Sequence, residues 1–256
     1  MKNLLKKILF CILYFKYINF RYYFKTIFLG SNYGGWAIYN NINLYRSTVI
    51  SAGLGEDASF DLELSSKYNC KILFIDPTPR SITHYYNIKK NINKKRKINY
   101  PKNTGNMPIE SYDLSKIKKS NLLIAKYALW KSNKKKLKFY MPDNNTNVSH
   151  SLIYKRSKYF INVVSISLKK IIERYKIKKI ELLKMDIEGS ENIVIKNMIK
   201  DRIFPNQILI EIEDLHKINL INLKKFNKLN NLLIKNGYIQ LYTKMDFPNL
   251  LYVKNL

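Results

Sequence analysis

Between Thr48 and Asp76 the chain has few ways to fold. TVISAGLG is a continuous apolar run stopped by glycines, which reads as a buried strand entering a turn. The segment Asp57 to Tyr68 suits a helix: Asp57 or Ser59 can cap it, and Phe60 and Leu64 share a face. KILFID, Lys71 to Asp76, is a second apolar strand ended by Pro77 and Pro79. The result is a strand, helix, strand unit closed by one acid.

The same alternation continues downstream. NLLIAKYALW (Asn121 to Trp130), IELLKMD (Ile180 to Asp186) and ILIEIE (Ile208 to Glu213) read as the third, fourth and fifth buried strands. After the fourth, IEGSENIVIKNMI predicts a helix that turns Ile195, Met198 and Ile199 inward. HYYNIKKNINKKRKIN, His84 to Asn99, is a lysine-laced helix or loop with a solvated face, KKKLKFYM and YFINVVSIS suit paired strands flanking a polar loop, and no internal repeat is evident. GYIQLY and FPNLLYV predict a terminal antiparallel hairpin around Asp246 and Pro248. Strands alternating with helices imply an α/β fold with a doubly wound, mostly parallel sheet and right-handed crossovers. In such sheets ligands sit outside the carboxyl ends of the strands, so the residues to watch are Gly53 to Asp57, Asp76, Asp186 to Glu188 and Glu211 to His216.

At 256 residues and 46% hydrophobic, the chain can bury one large core. A formal charge of +28 would ordinarily suggest nucleic acid or a membrane as partner, but of the 46 basic residues 39 are Lys and 7 are Arg. Arginine, the planar fork suited to phosphate, is the scarce one, and nucleic acid is not expected as a partner. Cys11 and Cys70 lie far apart and form no metal or redox pair, which fits a cytoplasmic protein without disulfides. The boundary is expected near residue 29, with a basic and apolar helical appendage over residues 1–29 and the main domain over 30–256. The apolar run Ile8 to Phe15 is too short to span a bilayer and no small-residue cleavage site follows it. The appendage either packs on the domain or, through residues 1–28, touches the inner face of an anionic membrane.

Gly53, Gly55 and Ala58 satisfy the spacing of a dinucleotide fingerprint, and Asp76 lies about twenty residues on, where an acid would grip a ribose. NAD or FAD is therefore the first guess on spacing. Charge argues otherwise, because Glu56 and Asp57 follow the glycines where a pyrophosphate would have to sit. S-adenosylmethionine, with a ribose diol, a sulfonium, an ammonium and no phosphate, suits the loop better. Gly53 and Gly55 would then permit close backbone approach and Asp76 would accept from the diol. Glu56 or Asp57 would face the cationic end, unless they are only acids favourable to the helix dipole.

Separated stretches resemble the FkbM-type methyltransferases, a class I S-adenosylmethionine-dependent family. They are YGGW (Tyr33 to Trp36), SAGLGEDASFD (Ser51 to Asp61), DPTPRS (Asp76 to Ser81), VSHSL (Val148 to Leu152) and LLKMDIEGSE (Leu182 to Glu191), followed by FPNQILIEIE. The likeness runs from about Gly30 to the C-terminus. It implies a seven-stranded Rossmann-like sheet, S-adenosylmethionine as cofactor, and O-methylation of a sugar, glycan or other small-molecule hydroxyl. The chain departs from the family at Asn192 and Ile193, where a tyrosine and a further acid are common, and at IEDLH, where a histidine pair is frequent. DNA amino-methylating enzymes carry Asp/Asn-Pro-Pro-aromatic at the end of the fourth strand, where this chain has DIEG.

Methyl transfer to a hydroxyl is an in-line displacement that needs the acceptor held in place and its proton removed. Asp186 is the best placed base, with Glu188, Glu211 and His216 completing the catalytic group and Glu213 beside them. These side chains also suit a divalent cation such as Mg²⁺, but carboxylates near a cationic cofactor account for the cluster, and no metal is expected. The cofactor side is expected to comprise Tyr33, Gly53, Gly55, Glu56, Asp57, Asp76 and Pro77. Tyr33 and Trp36 would stack on the adenine or the acceptor, or pack under the sheet edge. His150 lines the acceptor pocket or caps a loop, and Glu188 has the further reading of a backbone acceptor that holds its turn around Gly189. The competing functions are an NAD(P)-binding Rossmann protein and a non-catalytic basic protein held to nucleic acid or a membrane.

Overall fold

The computed structural model describes residues 25–101, 105–143, 148–216, 219–243 and 249–254. Most of the expected N-terminal appendage lies outside these residues, as does the hairpin loop containing Asp246 and Pro248. The part of the appendage that is described is not helical: β1 (Thr26–Leu29) pairs antiparallel with β2 (Trp36–Tyr39), so the boundary expected at residue 29 falls inside a hairpin. That hairpin is tied to the first helix. Gly30 N–H donates to Glu63 Oε2 at 2.9 Å, and Ser31 N–H donates to Ser59 Oγ at 2.8 Å.

The main sheet has seven strands in the order β11-β12-β10-β9-β3-β4-β5. Its centre is parallel: β3 (Thr48–Ala52) lies between β4 (Lys71–Ile75) and β9 (Leu182–Met185), with β5 (Leu122–Ala125) beyond β4 and β10 (Gln207–Glu211) beyond β9. β11 (Tyr238–Thr243) and β12 (Asn249–Lys254) are the expected antiparallel pair, and β12 inserts beside β10. NLLIAKYALW is one strand by sequence but two in the fold. Its second part, β6 (Ala128–Leu129), leaves the main sheet to join β7 (Lys134–Tyr140) and β8 (Phe160–Ile166) in a separate three-stranded sheet.

Because successive side chains of a strand point to opposite faces, each central strand feeds two cores. Ile50 and Ala52 of β3 pack with Leu183 and Met185 of β9 beneath α3 (Leu168–Arg174), α4 (Glu191–Lys200) and α5 (Leu220–Lys235). Val49, Ile72, Phe74 and Leu182 face the opposite layer, built from α1 (Ser59–Tyr68), α2 (Pro79–Lys90) and β2. Helix starts follow local chemistry: the Ser167 side chain accepts from Lys170 N–H, the Asn219 side chain accepts from Asn222 N–H, and Pro79 opens α2. α4 buries Ile195 and Met198 as its spacing predicts, together with Val194. Among the described residues no helix is long and apolar enough to cross a membrane.

Candidate functional site

The carboxyl ends of β4, β3, β9 and β10 lie side by side, with the start of antiparallel β12 next to them. They carry, in that order, Asp76, the loop Gly53 to Asp57, Asp186, Glu211 and Asn249. A cavity of about 880 Å³ opens over this edge. It is lined by all of Tyr33, Gly53, Gly55, Glu56, Asp57, Asp76, Pro77, Asp186, Glu188, Glu211 and His216, so the expected site residues share one space. Trp36, His150 and Glu213 line it too.

Within that space several residues do something other than expected. Gly53 is glycine because of the neighbouring strand: with φ at +83°, a Cβ there would lie 1.8 Å from the Asp186 carbonyl oxygen. Gly55, at φ +59°, has only a Val148 methyl 3.5 Å from where a Cβ would sit, and it is the glycine that faces open space. Asp76, only 6% exposed, is already fully used. Its Oδ2 accepts from Leu54 N–H at 3.0 Å and Gly55 N–H at 3.2 Å, and its Oδ1 from Thr78 N–H at 2.8 Å and Thr78 Oγ at 2.7 Å. A carboxylate offers about four acceptor directions, and with four donors on it Asp76 fastens the glycine loop.

The two loop acids divide their roles. Asp57 Oδ1 accepts from Ser59 N–H at 2.8 Å and Oδ2 from Ser31 Oγ at 2.6 Å, so Asp57 holds the start of α1 and the β1–β2 hairpin. Glu56 is ion-paired with Arg80, whose Nε lies 3.1 Å from Glu56 Oε1, and its charge is offset inside the cavity. Counting acids along the loop therefore overstates the repulsion it would offer a phosphate. The backbone donors that would cradle a pyrophosphate are turned inward: Leu54 and Gly55 give theirs to Asp76, Ala58 gives its N–H to Tyr112 Oη at 3.0 Å, and Ser59 gives its own to Asp57.

Carboxylates gather on the other half of the cavity. Asp186, half-buried at the end of β9, is driven well above the usual carboxylate range by burial and then by the Glu211 charge, with Lys184 pulling the other way. Lys184 is 3% exposed, donates to the Gly53 carbonyl at 3.0 Å and lies 5.7 Å from the centre of the Trp36 ring. Glu188 takes a left-handed backbone conformation, φ +54°, and pairs with Arg156 at 2.8 Å. Arg156 also pairs with Glu213, closing a carboxylate, guanidinium, carboxylate bridge. Burial opposes the Arg156 charge, but Glu188 and Glu213 outweigh it and raise its pKa. His216 Nε2 lies 2.8 Å from Glu211 Oε1, and that hydrogen bond, against burial, raises the imidazole pKa. Glu211, Glu213 and His216 each offer one ligand atom, all within 4.8 Å of one another.

The turn after β9 is held by Glu191, not Glu188. Its Oε1 accepts from Ile187 N–H at 2.9 Å and Gly189 N–H at 3.3 Å, and burial pushes its pKa up to about 8. Tyr33 remains 48% exposed at the cavity, its pKa raised by burial and by Asp186. Reading the sequence misses Arg80, Arg156, Lys184, Glu191 and Asn249. The two arginines carried a usable signal: in a chain with 7 Arg against 39 Lys, an arginine in a polar segment marks a place where a forked donor is needed.

Residues 39–239 match the family model described as the methyltransferase FkbM domain. No curated protein matches the chain, and no solved structure does.

Proposed function

The chain belongs to the FkbM methyltransferase family, and on that premise we propose that it transfers a methyl group from S-adenosylmethionine to a hydroxyl of a sugar, glycan or other small molecule. The observation that carries the choice of cofactor is the inward turn of the Leu54, Gly55, Ala58 and Ser59 N–H groups. With these four donors spent, the loop offers little of the backbone cradle a pyrophosphate needs, whereas a phosphate-free cofactor does not need it. The wall opposite the loop is rich in carboxylates, which favours a ligand bearing sulfonium and ammonium charges. When bound, that cofactor supplies the activated methyl carbon.

The chain's own residues then have separable tasks. Asp76 keeps the glycine loop closed against β4, and Tyr33 offers exposed aromatic surface at the cavity while Trp36 lies buried beside Lys184. Asp186 is the general base. Burial and the Glu211 charge raise its proton affinity, which suits a group that must take a hydroxyl proton near neutral pH. His216 with Glu211 and the Arg156 bridge set the charge around the acceptor. Asp186→Asn should bind S-adenosylmethionine within about twofold of wild type yet transfer less than roughly one-hundredth as much labelled methyl to a sugar and glycan extract, a loss in the range of general-base catalysis. Unchanged transfer by that variant would remove Asp186 from the role.

A further inference from the structure

We infer that the acceptor half of the cavity is a divalent cation site of the Mn²⁺ and Mg²⁺ class, ligated by Glu211, Glu213, His216 and the side-chain oxygen of Asn249. Glu211, Glu213 and His216 already bring one ligand atom each within 4.8 Å of the others. His216 Nε2 is 2.8 Å from Glu211 Oε1 and 3.6 Å from Glu213 Oε2. Arg156 occupies the other Glu213 oxygen, Oε1, so the oxygen nearer the imidazole is the one turned toward this group.

Asn249 completes the group. It stands directly across from Glu211 in the β10–β12 ladder, and it lines the same cavity. Its residue is 8% exposed, and its Oδ1 is buried with no hydrogen-bond partner among the described residues. A buried carbonyl oxygen beside a carboxylate repels it and gains from a cation or a donor placed between them. Directly opposed residues of an antiparallel pair have Cβ atoms only about 5 Å apart, so one ion can touch both side chains.

Carboxylates outnumber the side chains of fixed positive charge in this corner. Asp186, Glu188, Glu211 and Glu213 line one wall, where Arg156 and Lys184 are the lining side chains of permanent positive charge. Lys184 is directed to the Gly53 carbonyl and Arg156 to Glu188 and Glu213, so neither is given to Glu211, which meets the His216 imidazole. Two carboxylates, a carboxamide oxygen and one imidazole form a hard set with a single nitrogen, which suits Mn²⁺ or Mg²⁺ rather than a thiolate-seeking ion.

The site also sits in the right half. Strand spacing puts β10 about 10 Å from β3, so an ion on Glu211 and Asn249 lies away from the glycine loop and beyond Asp186. Its catalytic meaning rests on the methyltransferase reading: a hydroxyl held there would give its proton to Asp186 more readily, and its oxygen would bond to the methyl carbon as the carbon–sulfur bond of the sulfonium breaks and the neutral thioether leaves. Its existence does not rest on that reading.

The test uses the full chain without cofactor. Titration with Mn²⁺, followed by the loss of the free-ion electron paramagnetic resonance signal, should give one site per chain. Glu211→Gln, Asn249→Ala and His216→Ala should each weaken it at least about tenfold, while Asp214→Asn, whose carboxylate is held by Lys225 and Tyr154, should leave it unchanged. His216 is exposed enough that its variant guards against a folding artefact, and circular dichroism checks the others. Binding without a defined stoichiometry, or equal binding by wild type and the three ligand variants, overturns the inference. Mn²⁺ binding by a chain that ignores S-adenosylmethionine would keep the cation site and reject the methyltransferase reading; the converse result would do the opposite.

Discussion

The backbone of Gly53 rests against the carbonyl of Asp186, so closely that a Cβ on Gly53 would lie 1.8 Å from that oxygen. The end of the cofactor loop and the candidate base are therefore one rigid unit, joined further by Asp186 N–H donating to Ala52 O at 3.0 Å. Gly53→Ala should cost about 3 kcal/mol or more in urea unfolding, combining a left-handed backbone with overpacking against a strand. Gly55→Ala meets only the Val148 methyl at 3.5 Å and should cost about 1 kcal/mol, with its larger effect on cofactor affinity. Equal losses in the two variants would mean that the contact with β9 is not what demands glycine.

Asp76 holds four donors from the loop and from Thr78, so its removal should act on the loop first. Asp76→Ala is expected to lower stability by about 3 kcal/mol and to weaken S-adenosylmethionine at least tenfold. Full stability with weakened binding would instead assign Asp76 directly to the ligand.

Arg156 offsets Glu188 and Glu213 from a loop that neither strand can supply. Arg156→Ala should cost about 1–2 kcal/mol, less than a fully buried pair because the arginine side chain is 25% exposed. Arg156→Lys, which cannot hold both carboxylates as a planar fork, should recover only part of the methyl transfer lost in Arg156→Ala. Complete recovery would show that charge alone suffices.

His84 predicts a pH effect distant from the chemistry. It is buried on α2 with Nε2 2.9 Å from Tyr112 Oη, and burial lowers its pKa from 6.5 to about 4. Between those values the unfolded chain binds the proton and the folded chain does not, so the contribution is present above pH 6.5 and is lost as pH falls toward 4. Roughly 3 kcal/mol should disappear over that window, measured by urea midpoints, and His84→Gln should flatten this part of the profile. The Tyr112 hydroxyl also accepts from Ala58 N–H, so acid should loosen the start of α1 first.

Strand ends were the legible part of this molecule. Val49 to Asp76 announced its strand, helix, strand unit by apolar runs and glycine stops, and the residues after each strand converge on one cavity because a parallel sheet aligns its carboxyl ends. Side-chain partners were not legible, because they come from distant segments. Asp57 and Asp76 look like free ligand-facing acids until Ser31, Leu54, Gly55 and Thr78 are folded against them. The further reading of Glu188, an acceptor that holds its turn, falls to Glu191, since the start of α4 directs a carboxylate back over Ile187 and Gly189. The split of NLLIAKYALW was hidden because both halves are apolar, and Asn249 gains meaning only from its register opposite Glu211.

Calorimetric titration of the full chain with S-adenosylmethionine and, separately, with NADH bears most directly on the central claim. A loop whose Leu54, Gly55, Ala58 and Ser59 N–H groups are spent on Asp76, Tyr112 and Asp57 should give one-site binding of S-adenosylmethionine and no heat with NADH. Tight NADH binding with none for S-adenosylmethionine would contradict it.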